Sequence, residues 1–119
     1  MKAIKQISIT AKDLARAKKF YQETLGLQHL FPAGVMEFFQ CGTVRILLGG
    51  PGSGHDHISM IYFDVDDIKA KHAELKSKGV EFKGEPFMVA KLPHAEVWLA
   101  EFRDSEGNQM GLMGEVPLK

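Results

Sequence analysis

Ile4, Ile7 and Ile9 sit among Gln6, Ser8 and Thr10, so residues 3–10 carry the alternation of a half-buried strand. The period then lengthens. Leu14, Ala17, Tyr21 and Leu25 fall on one face of a helix that Asp13 would cap and Gly26 would end. Three short strands are expected next, at about 27–32, 35–41 and 43–49, divided by Pro32-Ala33-Gly34 and by Gly42. A glycine-rich loop, Gly49-Gly50-Pro51-Gly52-Ser53-Gly54, follows near the middle of the chain.

After that loop the pattern starts again. Ile61-Tyr62-Phe63-Asp64-Val65 alternates like the first strand, and Asp66 or Asp67 stands ready to cap a helix. That helix turns Ile68, His72 and Leu75 inward and ends at Gly79; strands are expected at 80–84, 86–92, 94–103 and 108–113. An offset of 54 lays Ile7 on Ile61, Ile9 on Phe63, Asp13 on Asp67 and Leu14 on Ile68. The chain is therefore an α+β protein of two strand–helix–strand–strand–strand copies, about 1–50 and 55–119, joined by the loop 49–54.

The last two strands are joined by Asp104-Ser105-Glu106-Gly107-Asn108, which reads as a tight hairpin turn. Asp104 and Asn108 can bond nearby backbone and Gly107 can take a positive φ. In each copy the helix must bury one face against its sheet, which turns Ile7, Ile9, Ile61 and Phe63 toward helices. Gln6, Ser8, Thr10, Ile58, Met60 and Tyr62 then take the other face, because successive strand residues alternate sides. Two such sheets with helices outside can curve around a cavity, whose lining decides function.

Composition narrows the classes. The chain has 119 residues, enough for one compact domain, with Lys+Arg and Asp+Glu balanced at 15 each. No global field draws it to nucleic acid or an anionic membrane. One cysteine, Cys41, precludes an intrachain disulfide and a multi-cysteine metal site. No run nears the roughly 18 apolar residues of a membrane span, and no signal peptide is evident, so a soluble, cytoplasmic protein is expected.

The chain resembles the vicinal oxygen chelate superfamily, the glyoxalase I, bleomycin-resistance and extradiol-dioxygenase group. Ile7-Ser8-Ile9-Thr10-Ala11-Lys12-Asp13-Leu14, then Phe20-Tyr21 and Leu25-Gly26-Leu27, carry the first-half resemblance. Phe63-Asp64-Val65-Asp66-Asp67-Ile68 with Leu75 and Gly79-Val80 is similar to the second half. Phe102-Arg103-Asp104-Ser105-Glu106-Gly107-Asn108 resembles the signature turn, with Ser105 where proline is usual. The resemblance implies two βαβββ modules, cupped sheets with helices on the outer face, and a homodimer. In metalloenzymes of this group, His, Gln or Glu side chains, two from each module, hold one divalent ion that polarises neighbouring substrate oxygens. Carried over, those positions are Gln6, Leu47, Met60 and Gly111. Only Gln6 offers an oxygen donor, so no metal is expected and no catalytic residue is assigned.

Other residues bear on the cavity. Arg45 shares the parity of Leu47 and can anchor a carboxylate or phosphate. Tyr62 offers a phenol, and Trp98 a cavity wall or dimer contact whose side depends on whether its strand carries a bulge. His55-Asp56-His57 reads as a polar loop at the mouth, although His-x-His puts both imidazoles on one side, so rim contacts to a ligand, a bound metal, or His57 turned inward beside Gln6 stay open. Glu96 and Glu101 have opposite parity, so at most one faces inward, where it can serve as a proton-transfer base. His29 and His72 read as structural, His94 as a turn residue, and Cys41 as an inert buried thiol.

The expected function is binding of a small, partly apolar molecule by Gln6, Ser8, Arg45, Leu47, Met60, Tyr62, Trp98 and Gly111, without metal. Cationic bleomycin itself is a poor fit, since the chain lacks an acidic surplus. One alternative is a glyoxalase-like lyase or isomerase, or a ring-cleaving dioxygenase, with a displaced divalent metal or a metal-free acid–base pair. Another is an interaction module whose cup is filled by its own side chains.

Overall fold

The computed structural model describes residues 3–54 and 60–118. The chain divides into two compact units, Met1–Ser59 and Met60–Lys119.

The first unit runs β1 (Gln6–Thr10), α1 (Leu14–Lys19), β2 (Gln28–Ala33), β3 (Met36–Cys41) and β4 (Val44–Gly49), its sheet ordered β1-β4-β3-β2. Asp13 caps α1 by accepting a hydrogen bond from Arg16 N at 3.1 Å. The helix widens into a π-helical turn, Phe20–Thr24, closed by Leu25 N donating to Phe20 O at 3.0 Å. The single regular helix expected through Leu25 thus ends on a wider turn. β1 and β4 are parallel, with Gln6 beside Arg45 and Ser8 beside Leu47. The core lies between sheet and helix: Ile9, Ala17, Tyr21, Phe39, Ile46 and Leu48 are buried. Tyr21 meets Phe39 with ring centroids 6.1 Å apart, which places odd-numbered β3 residues on the helix side.

The second unit runs β5 (Ile61–Asp64), α2 (Ile68–Ser77), β6 (Glu81–Phe82), β7 (Phe87–Lys91), β8 (Ala95–Arg103) and β9 (Gln109–Pro117). Its sheet is ordered β5-β9-β8-β6, and β7 pairs with β8. Asp67, rather than Asp66, caps α2, accepting from Ala70 N at 3.0 Å. Ile68, His72 and Leu75 are the buried face of α2, as the periodicity predicts. His72 lies edge-on to Phe82 at 4.3 Å and its Nε2 is 3.2 Å from the Gly84 carbonyl, a structural role. β5 and β9 are parallel with Tyr62 beside Gly111, the second-unit equivalent of Ser8 beside Leu47.

Two sequence expectations change. β9 continues to Pro117 instead of stopping near Met113, because β8 is long enough to pair it without interruption from Arg103↔Gln109 to Ala95↔Pro117. The irregularity that left Trp98 open falls in β7, between Met88 and Ala90, and not in β8. The first unit is a βαβββ module, and the second is the same module with one strand position divided between β6 and β7, which both pair with β8, so the two-module fold is the one the sequence predicts.

Candidate functional site

In each unit one sheet face carries the helix and the other does not. The helix-free face of the first sheet holds Gln6, Ser8, Arg45, Leu47 and Phe38, by strand alternation and the register Phe38↔Leu47. Leu47 and Phe38 are buried there, while Gln6 is exposed and Arg45 half-buried. Gln6 Oε1 accepts a hydrogen bond from Arg45 Nε at 2.6 Å. The Arg45 guanidinium carbon stands 5.5 Å from the centroid of Phe38. Phe38 in turn stacks on Phe31 at 4.7 Å with 27° between ring planes.

The helix-free face of the second sheet holds Tyr62, Gly111 and Glu101, the last paired with Gly111 across β8 and β9. Met60 lies just before β5 and meets the same side, since Tyr62 Oη donates to Met60 Sδ at 3.4 Å. The Tyr62 ring lies on Gly111: a Cβ there would fall 2.6 Å from Tyr62 Cδ1 and 2.9 Å from Cε1. Trp98 is on the opposite, helix-bearing face. Its ring packs under Lys69 of α2 at 4.9 Å, and its Nε1 donates to Glu96 Oε1 at 3.0 Å. The alternation of an unbroken β8 sets this side, so Trp98 and Glu96 do not line the face that carries Tyr62 and Gly111, and Glu101 does.

Hollows are present in both units. One of about 550 Å³ is lined by Thr10, Ala11, Lys12 and Gly50–Gly54, at the far end of β1 from Gln6. Another of about 250 Å³ is bordered by Glu81, Lys83, Glu101 and Arg103, whose charges cancel and favour neither sign of ligand. His55, Asp56, His57 and Ile58 lie outside the described residues. His29, read as structural, is joined to Glu37 at 2.7 Å on the helix side of its sheet and lies edge-on to Phe39. Sequence spacing alone does not show that pair, because a β-bulge between His29 and Phe31 shifts the register.

With this geometry in view, the sequence was compared with known proteins. The model of the Glyoxalase/Bleomycin resistance protein/Dioxygenase superfamily matches residues 3–112. The chain belongs to this superfamily. No functionally curated protein matches the sequence. Among solved structures, a lactoylglutathione lyase from Agrobacterium tumefaciens superposes with a TM-score of 0.78 at 21% identity, covering 96% of this chain and 94% of the other. TnmS3, an antibiotic binding protein from Streptomyces sp. CB03234, gives 0.75 at 24% identity and 97% of both chains. The virulence protein STM3117 from Salmonella typhimurium gives 0.80 at 18% identity and 98% of both. At these identities the likeness establishes the fold.

The residues at the superfamily's metal-ligating positions do not fit a divalent ion. In the first unit the Gln6 oxygen is already engaged by a guanidinium, which repels a cation, and Leu47 has no donor atom. In the second, Met60 offers a thioether and Gly111 nothing, its side-chain volume being taken by Tyr62. Among the described residues, no group of three or more His, Cys, Asp or Glu is placed to hold a metal ion. No helix of the described residues is long and apolar enough to cross a membrane.

Cys41, at the end of β3, is part-buried, and burial pushes its thiol pKa up. Less thiolate is then present at any given pH than in an unfolded chain. Cys41 in the native protein is expected to react with a disulfide reagent at pH 7.5 more slowly than in urea-unfolded protein, since the thiolate is the nucleophile. Equal rates in a stopped-flow or absorbance assay would show an accessible, ordinary thiol.

Proposed function

We propose that this protein binds small, partly apolar molecules without a metal ion, as a homodimer, on the helix-free faces of its sheets. The observation that carries this reading is the 2.6 Å hydrogen bond from Arg45 Nε to Gln6 Oε1: the one oxygen donor among the superfamily's ligand positions is bound to a cation. Taken separately, each unit's helix-free face offers groups suited to a ligand: an aromatic pair beside a positive charge in the first, and Tyr62 with Met60 in the second. Thioethers and exposed rings pack adaptably against varied apolar shapes. The antibiotic-binding activity named for TnmS3, on the same fold, is consistent with this role.

The test has two parts. Purified protein incubated with nickel, zinc, manganese or iron(II) and then desalted is expected to retain almost no metal. A thermal-shift screen of small aromatic and partly apolar compounds is expected to give hits that persist in excess EDTA. About one metal per chain, lost in Gln6→Ala, or hits abolished by EDTA, would overturn the proposal. A solution mass equal to one chain at micromolar concentration would remove the dimer from it.

A further inference from the structure

Across the first sheet, Gln6, Arg45, Phe38 and Phe31 make a continuous strip over four adjacent strands, β1-β4-β3-β2. At roughly 4.8 Å per strand, the strip is about 14 Å long. It passes from a hydrogen-bonding amide through a cation to an aromatic platform. Phe31, at the far end, is 43% exposed although it is a large apolar ring, whereas Phe38 beneath it is 8% exposed. Among the described residues, no carboxylate pairs with Arg45.

The guanidinium has two partners on this face. Gln6 takes its Nε edge, and the Phe38 ring lies 5.5 Å from its carbon. A guanidinium whose Nε edge is engaged still has its terminal edge, two parallel N–H groups, for another acceptor. That edge matches a planar anion with two oxygens. We infer that the strip is a subsite for an aromatic carboxylate, its two oxygens on the Arg45 terminal nitrogens and its flat apolar part over Phe31. Gln6 is a positioning residue that fixes the fork through Nε. This assignment rests on the binding role proposed above and names the ligand class for one of its faces.

Isothermal titration with 2-naphthoate, 2-naphthamide and acetate tests it on the full chain. Wild type is expected to bind 2-naphthoate at least about tenfold more tightly than either the neutral amide or acetate. Arg45→Gln should weaken 2-naphthoate by roughly tenfold to a hundredfold, the usual range for losing hydrogen bonds to a charged group, with the amide unchanged. Phe31→Ala should weaken naphthoate by about threefold to tenfold and leave acetate alone. Gln6→Leu separates positioning from scaffolding: it removes the acceptor from Nε but leaves the Arg45 charge in place. It should weaken 2-naphthoate and not 2-naphthamide, with an unchanged melting temperature. Because Arg45 and Gln6 are not part of the buried core, folded variants are expected, and Arg45→Lys is the second variant, restoring charge without the fork and only part of the affinity.

Equal binding of naphthoate and naphthamide, or naphthoate binding unaffected by Arg45→Gln, overturns the subsite while leaving metal-free binding intact. No naphthoate binding up to millimolar concentration also overturns it. If the compound screen still gives EDTA-resistant hits, the wider reading survives that loss; if it gives none, both fall.

Discussion

Asp104→Ala is expected to destabilise the protein by roughly 3 kcal/mol and to lower the thermal midpoint by about 10 °C or more. Asp104 is 6% exposed and stands at the start of the turn between β8 and β9. Its Oδ1 accepts from Glu106 N at 2.9 Å and Asn108 N at 2.8 Å, and its Oδ2 accepts from Asn108 Nδ2 at 2.8 Å. Its own backbone N–H donates to the Asn108 carbonyl at 3.0 Å. Alanine removes the carboxylate that three buried donors share, and replacing it with water requires opening the turn. Gly107, at φ 82°, completes the reversal. The damage spreads because this turn sets the register of nine β8–β9 pairs, the most extensive strand pairing in the second unit. Asp104→Asn separates the contributions. One oxygen is retained for the two backbone N–H groups, but its amide meets the Asn108 amide, donor against donor, so about half the loss is expected. Calorimetry that finds Asp104→Ala within about 2 °C of wild type would show that the network is dispensable.

The same turn illustrates why so much of the fold was legible in sequence. Asp, Gly and Asn at those offsets have few other solutions, and the caps Asp13 and Asp67 are equally local. The repeat was legible for a similar reason: an offset of 54 aligns apolar alternation, and the parallel pairs Ser8↔Leu47 and Tyr62↔Gly111 occupy equivalent places. What sequence could not supply were properties that depend on neighbours across strands. Trp98 needed the register of a whole strand before its side was fixed, because one bulge would reverse it. The length of β9 followed from its partner β8 and not from Gly114 or Pro117, neither of which favours a strand. The site was half legible. Parity put Arg45 on the same face as Gln6, but parity says nothing about a guanidinium being locked to an amide and laid beside a ring. Nor did it show that the empty ligand position Gly111 is covered.

That covering leads to an effect whose sign depends on its neighbour. Glycine inside a strand ordinarily weakens it, so replacing Gly111 with alanine would gain roughly 0.5 kcal/mol if the space were open. It is not open: the new methyl carbon would fall 2.6 Å from Tyr62 Cδ1, inside any real carbon–carbon contact. Tyr62 is 44% exposed, so its ring can swing outward, at the cost of its packing on β9 and its hydrogen bond to Met60 Sδ. Gly111→Ala in the wild type is therefore expected to destabilise by about 1–3 kcal/mol, the range for overpacking. In a Tyr62→Ala background the same change should be neutral or stabilising, giving a coupling of about 2 kcal/mol in a urea-denaturation double-mutant cycle. Additive effects would mean that the ring does not rest on this glycine. Gly111→Glu extends the logic to function, since it places a carboxylate at a superfamily ligand position. It should displace Tyr62 and still bind no metal, because the other ligand position in that unit is the Met60 thioether and no second hard donor is supplied there. A metal site thus requires more than one substitution in the second unit alone, and the aromatic ring over Gly111 makes the first of them unfavourable.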